Sequence, residues 1–213
     1  MAGFIPEWFL GFDSIIYIFV TMIGFTIGAQ LFKLYKLTGD KSHLKLHFGM
    51  VVLSMGFLAL SMVSGYAYLN FQKTCAVECN IRVFDQAIDI YDFGYWVYYI
   101  ASLAAYFIIF MVYLPERGQF PAIFPLVWSV GFRTFHLISL FLLSYIIFRS
   151  VINYFSDRNV YRFLVMFSFL ALGGYHALLF FSTFDPVIYV LGNLSLLTAF
   201  LSLLVMVIRV NRK

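Results

Sequence analysis

Charge is what this sequence has least of. Fourteen basic and ten acidic side chains are spread over 213 residues, 11% of the chain. A soluble domain carries about 25% charged residues. So few charges cannot cover a chain that is 63% hydrophobic, which excludes a soluble globular domain and a disordered chain. A nucleic-acid-binding module, with its dense basic face, is excluded on the same ground. Cysteine is scarce too: Cys75 and Cys79 are too few for a disulfide scaffold. No polar run marks a second domain or a long linker. What remains is a polytopic, all-α integral membrane protein built as a single domain over residues 1–213, with the lipid bilayer as its first partner.

A spanning helix needs roughly 20 mostly apolar residues. Five runs meet this directly: Phe12–Leu34, Leu46–Leu69, Phe93–Leu114, Val160–Ser182 and Val187–Ile208. The stretch between Pro115 and Phe155 reads as one span or two. Pro115–Phe132 is eighteen residues, about 27 Å as helix, with Pro115 at the first turn and Arg117 at the interface. Gly131, Phe132 and Arg133 then make a turn, and Phe135–Phe155 is the next span. The first run is too long for a signal peptide, lacks a basic n-region and has no small-residue cleavage site. It is expected to stay as the first span.

The positive-inside rule separates six spans from seven. With seven spans and an outer N-terminus, eleven of the fourteen bases fall inside. Only Lys73, Arg82 and Arg133 fall outside. With six spans the bases from Arg149 onward move out and the bias vanishes. The acids agree: Glu7, Asp13, Glu78, Asp85, Asp89, Asp92 and Asp185 lie outside. Trp8, Trp96 and Trp128 lie toward the outer interface, where amphipathic rings are favoured. The expectation is a seven-helix bundle of a plasma membrane, with its C-terminus cytoplasmic.

The longest loop is expected from about Asn70 to Ile90, outside, with a short surface helix before span three. It holds Cys75 and Cys79, which an oxidising face would join as a disulfide, Cys75-Cys79. Free thiols, or a metal or redox role for the pair, are the alternatives. On the inner side two turns resemble each other. Asp40-Lys41-Ser42-His43-Leu44-Lys45 and Asp157-Arg158-Asn159-Val160-Tyr161-Arg162 share an acid, a base and a second base four residues later. Parallel repeats of some transporters look like this, and so does convergent turn chemistry.

Ionisable residues inside a span are costly and mark function by default. Here they gather toward the outer side. Asp92, Trp96 and Tyr99 share a face of span three; Asp13 and Tyr17 open span one. Arg133 and His136 open span five, and Tyr175 and His176 lie in span six after Gly173-Gly174. Together these nine are expected to line an outward-facing ligand pocket. His136 and His176 are also candidate axial ligands for a haem, or ligands for a metal. His43 and His47, spaced H-x3-H, are expected to face water and headgroups. Gly24-x3-Gly28, and Ser61, Ser64 and Gly65, suit close helix contact within the bundle, or self-association. Asn193-Leu194-Ser195 has the form of a glycosylation acceptor, but inside a span it stays unmodified.

Absences narrow the function. Val187–Ile208 holds no lysine for a retinal Schiff base. Span three ends Val112-Tyr113-Leu114-Pro115, without the acid–arginine–aromatic triplet of G-protein-coupled receptors. No span carries a column of arginines for voltage sensing. No catalytic constellation stands out. The reading is a non-enzymatic receptor, sensor or accessory subunit of a membrane complex that meets partner membrane proteins and no nucleic acid. The alternatives are a redox subunit binding haem or metal through His136 and His176, and a small transporter.

Overall fold

The computed structural model describes residues 9, 11–77, 81–114 and 132–211, with side chains at 9, 11–70, 92–114 and 132–210. These residues form six α-helices: α1 (Phe12–Thr38), α2 (Lys41–Val77), α3 (Ile81–Tyr113), α4 (Phe132–Ser156), α5 (Val160–Phe181) and α6 (Pro186–Asn211). Each contains a segment long and apolar enough to cross a membrane, so the chain is a multi-pass membrane protein. The expected span Pro115–Phe132 lies, apart from Phe132, outside the described residues.

Local sequence explains where these helices start and stop. Gly39 ends α1 in the left-handed region at φ 70°, its N–H donating to Tyr35 O at 2.8 Å. Asp40 then caps α2, its Oδ1 accepting from the Ser42 backbone N–H at 2.8 Å. Hydrogen bonds from Ser42, backbone first, hold the Asp40 carboxyl below its ordinary range. Asn159 caps α5 by accepting from Tyr161 N–H, and Asp185 caps α6 from Val187 N–H, with Pro186 as the first helical residue. The two similar turns therefore place their caps at different points. Asp40 caps, whereas Asp157 pairs with Arg162 at 3.3 Å and leaves capping to Asn159.

Two expectations change. The loop from Asn70 to Ile90 is mostly helix, because α2 runs on to Val77 and α3 begins at Ile81. The expected surface helix is the first part of α3. No glycine or proline lies between Gly65 and Gly94 to stop either helix. At 37 residues α2 is about 55 Å long and outruns a hydrocarbon core of roughly 30 Å. Cys75 falls in the last turns of α2 and Cys79 outside the described residues, as does any bond between them. The expected turn at Gly131–Arg133 also shortens, since Phe132 and Arg133 open α4.

The helices form a closed ring. Each packs on its sequence neighbour, and α6 returns onto α1. At the upper end Asp13 of α1 meets Tyr189 of α6, and Arg133 of α4 meets Thr183 beyond α5. Gly94 of α3 lies against Val63 late in α2, while Ile109 lies against Gly49 early in α2. So α1, α3, α4 and α6 start at the upper end, and α2 and α5 start at the lower end. It follows that α3 and α4 are parallel. Tyr99 stacks on Phe135, and fourteen to fifteen residues further along the two helices Tyr113 and Ser150 line one cleft. The chain between Leu114 and Phe132 therefore joins opposite ends of the bundle.

Packing is inside-out relative to a soluble protein. The interior is aromatic and small-polar: Phe57 sits among Tyr17, Tyr98 and Phe200. The outer surface is apolar, with Phe141 73% and Phe148 61% exposed. That surface accounts for many of the 27 phenylalanines. Gly24 and Gly28 pack inward, against Ser54 and Phe200 and against Val51 and His47, which is the within-bundle contact expected of them. At Gly94 a Cβ would stand 2.6 Å from Val63 Cγ2. Gly94→Ala should therefore force α2 and α3 apart and lower stability by about 1–3 kcal/mol. Thermal unfolding in lipid checks this; an unchanged midpoint would contradict the packing.

Candidate functional site

The interior of an apolar bundle penalises every polar atom left without a partner, by about 1–3 kcal/mol each. Many of the polar side chains there are tied into bonded sets. Three such sets lie toward the upper end.

The first joins α1 to α6. Asp13 Oδ1 accepts from Gly11 N–H at 3.1 Å and Ser14 N–H at 2.8 Å, and Tyr189 donates to Asp13 Oδ2 at 3.3 Å. The Tyr189 hydroxyl also lies 3.1 Å from that of Tyr17. The second is Tyr98 on α3 with Tyr175 on α5, hydroxyl to hydroxyl at 3.0 Å. The third joins three helices. Tyr106 Oη lies 2.8 Å from Nε2 of His176, and Nδ1 of His176 lies 2.9 Å from Nδ1 of His136. Asp13, Tyr17, Tyr98, Tyr106, His136, Tyr175 and His176 are each at most 1% exposed.

The aromatic wall around the histidines explains their dryness. Phe132 meets the His136 ring edge-on at 4.6 Å. Phe135 faces both histidines and stacks on Tyr99 at 4.2 Å. Gly173 and Gly174 sit one turn below on α5, against Ile147 of α4 and Ser195 of α6, and let both helices come close. One ring nitrogen is left over: Nε2 of His136 is buried and makes no hydrogen bond among the described residues.

The nine residues read from the sequence thus divide. His136, His176, Tyr175 and Tyr99 are brought together. Asp13 and Tyr17 join Tyr189 in a separate set. Arg133 is exposed and donates to Thr183 Oγ1 at 2.8 Å. Trp96 is 44% exposed, its flank open to lipid. Asp92 is half-buried at the upper end, with Oδ1 unbonded among the described residues. Sequence reasoning passed over Tyr98, Tyr106 and Tyr189. A signal for the first two existed: Tyr98, Ser102 and Tyr106 repeat every four residues on one face of α3.

Two nitrogens on opposite sides of one metal stand about 4 Å apart, twice a bond of about 2 Å. His136 and His176 meet at 2.9 Å, so the pair as arranged does not fit the two opposed axial positions of a haem held between them. Among the described residues no group of three histidine, cysteine or acidic side chains is placed to hold a metal. His43 and His47 do not act as a pair either. His43 turns to Thr38 and Asp40, and His47 Nδ1 lies 2.8 Å from Gly28 O, tying α2 to α1.

A cleft of about 310 Å³ opens at the lower end between Tyr113, Ser150, Asn153, Tyr161, Arg162 and Val165. Its one cation is already engaged, with Arg162 Nη1 donating to Asn153 O at 2.9 Å and Nη2 paired with Asp157. The upper sets remain the stronger candidate. Comparison with known proteins gave no match to a family model, a curated sequence or a solved structure.

Proposed function

We propose that the chain is a seven-span bundle with its N-terminus outside and its C-terminus in the cytoplasm. In this reading it serves as a receptor, sensor or accessory subunit of a membrane complex, and Tyr106, His176 and His136 are its responsive element. The observation that carries the functional part is the Nδ1-to-Nδ1 bond between two wholly buried histidines. Ionisable residues at membrane depth are expensive and are kept where they act. These two sit where α3, α4 and α5 meet, so any change in their bonding is felt by three helices at once. Partner membrane proteins would read that change, since the chain presents broad apolar flanks.

Support for seven spans comes from the parallel run of α3 and α4. The seventeen residues between Leu114 and Phe132 must connect opposite ends, and as a helix they reach about 26 Å, close to a core of roughly 30 Å. The charge bias puts the lower end, with Lys41, Lys45, Arg158 and Arg162, in the cytoplasm. An Arg158→Cys variant in a Cys75→Ser, Cys79→Ser background checks this. A membrane-impermeant thiol reagent should label it only after permeabilisation. Labelling of intact cells would overturn the orientation. The subunit role is checked by native electrophoresis of untreated membranes: a complex larger than the 24.6 kDa chain with other subunits is expected. The chain running alone contradicts that role.

A further inference from the structure

Tyr106, His176 and His136 form an unbroken line of hydrogen bonds across α3, α5 and α4. A neutral imidazole carries one N–H and one bare nitrogen. The bond between the two Nδ1 atoms needs one of each, so the histidines hold opposite tautomers. With neutral groups only two arrangements keep both bonds. In the first, Tyr106 donates to Nε2 of His176, His176 donates from Nδ1 to His136, and His136 carries its proton on Nε2. In the second, every bond runs the other way. His136 donates from Nδ1, His176 donates from Nε2 to the Tyr106 oxygen, and Nε2 of His136 is bare.

We infer that these three residues form a proton relay, with Tyr106 Oη and His136 Nε2 as its two terminals. One proton arrives on the Tyr106 oxygen. The tyrosine's own proton passes to Nε2 of His176, the Nδ1 proton of His176 passes to Nδ1 of His136, and the Nε2 proton of His136 leaves. Three O–H or N–H bonds break and three form. Single water molecules, admitted transiently as the helices part, deliver the proton at one terminal and accept it at the other.

Two further observations favour a relay over a fixed structural bond. All three groups are neutral before and after, so no charge is stranded in the apolar core, where an unpaired charge is most costly. The terminal atom also has no competing bond: Nε2 of His136 makes no hydrogen bond among the described residues although the residue is 1% exposed. Among the described residues the rings that meet His136 are those of Phe132, Phe135, Tyr175 and His176, and none of these four carries a fixed charge that would lock one tautomer.

The relay rests on the reading of this network as the responsive element, but its test needs no partner. Nitrogen-15 histidine spectra of the full chain in lipid discs report which ring nitrogen of each histidine bears the proton. His136 protonated on Nε2 and His176 on Nδ1 is the expected major arrangement, because a phenol is the better donor to a bare nitrogen. The reverse arrangement should gain on warming, both rings changing together. Tyr106→Phe removes one terminal and should raise the minor share several-fold in both rings at once, while His43 and His47 signals stay in place. Both histidines protonated at the same ring position would overturn the relay. So would a pair that does not exchange on warming, or a variant in which only one ring or neither responds. The wild-type spectrum decides the pairing even where the variant does not fold. A chain found alone in its native membrane would overturn the subunit role and leave the relay standing.

Discussion

His176→Leu should cost the bundle about 2–5 kcal/mol of stability, measured by reversible unfolding in lipid or mild detergent. The lost attraction is not the main reason. Hydrogen bonds between helices in membrane proteins are worth about 0.6 kcal/mol on average. What decides the magnitude is the pair of atoms left behind. Leucine fills the volume and abandons both the Tyr106 hydroxyl and Nδ1 of His136 in a site at most 1% exposed. Each such orphan costs about 1–3 kcal/mol. Tyr106→Phe strands only one atom, Nε2 of His176, and should cost about half as much. Arg133→Ala is the control: its bond to Thr183 is exposed, and the change should stay within about 0.5 kcal/mol. Equal effects from the three variants would mean that the interior is wetter than this packing allows.

Asp13→Ala should be the next largest change, at about 1–3 kcal/mol. Asp13 works twice. Its Oδ1 takes the N–H groups of Gly11 and Ser14 at the start of α1, where no other side chain among the described residues caps the helix. Its Oδ2 takes the hydroxyl of Tyr189, which lies 176 residues away and closes the ring of helices. Alanine removes both. The expected signature is local: faster amide exchange in the first two turns of α1 and at the start of α6, with α4 and α5 unaffected. Tyr189→Phe spares the capping and should loosen only the seam between α1 and α6. If it matched Asp13→Ala in both size and spread, capping by Asp13 would have no separate role.

The membrane character of the chain was plain from its shortage of charge, and the six described helices coincide with apolar runs. Their ends were less legible. Apolar runs report where lipid is, whereas helix ends report where backbone hydrogen bonding stops. For α2 those points differ because nothing between Gly65 and Gly94 breaks a helix. The site was half legible. His136 and His176 stood out because ionisable groups are rare at that depth. Their partnership did not, since forty residues separate them and only the ring of helices brings them together. Asp13 was read into the same pocket because it shares their end of the membrane. Depth, however, does not fix which side of a ring a residue faces, and α1 turns Asp13 toward α6. Tyr98, Tyr106 and Tyr189 were missed for another reason. Among 15 tyrosines a hydroxyl that bonds in the core looks the same in sequence as one that meets headgroups.

A double-mutant cycle on His136 and His176 tests the central claim most directly. His136→Leu, His176→Leu and the double variant would be unfolded in the same lipid system. If the two rings are bonded in a dry core, each single variant strands the other ring, and the double variant removes both polar groups together. The double variant should then be less damaging than the two singles combined, by roughly 1–3 kcal/mol. Additivity within about 0.5 kcal/mol would mean that the histidines do not meet, and the account built on their bond would fall.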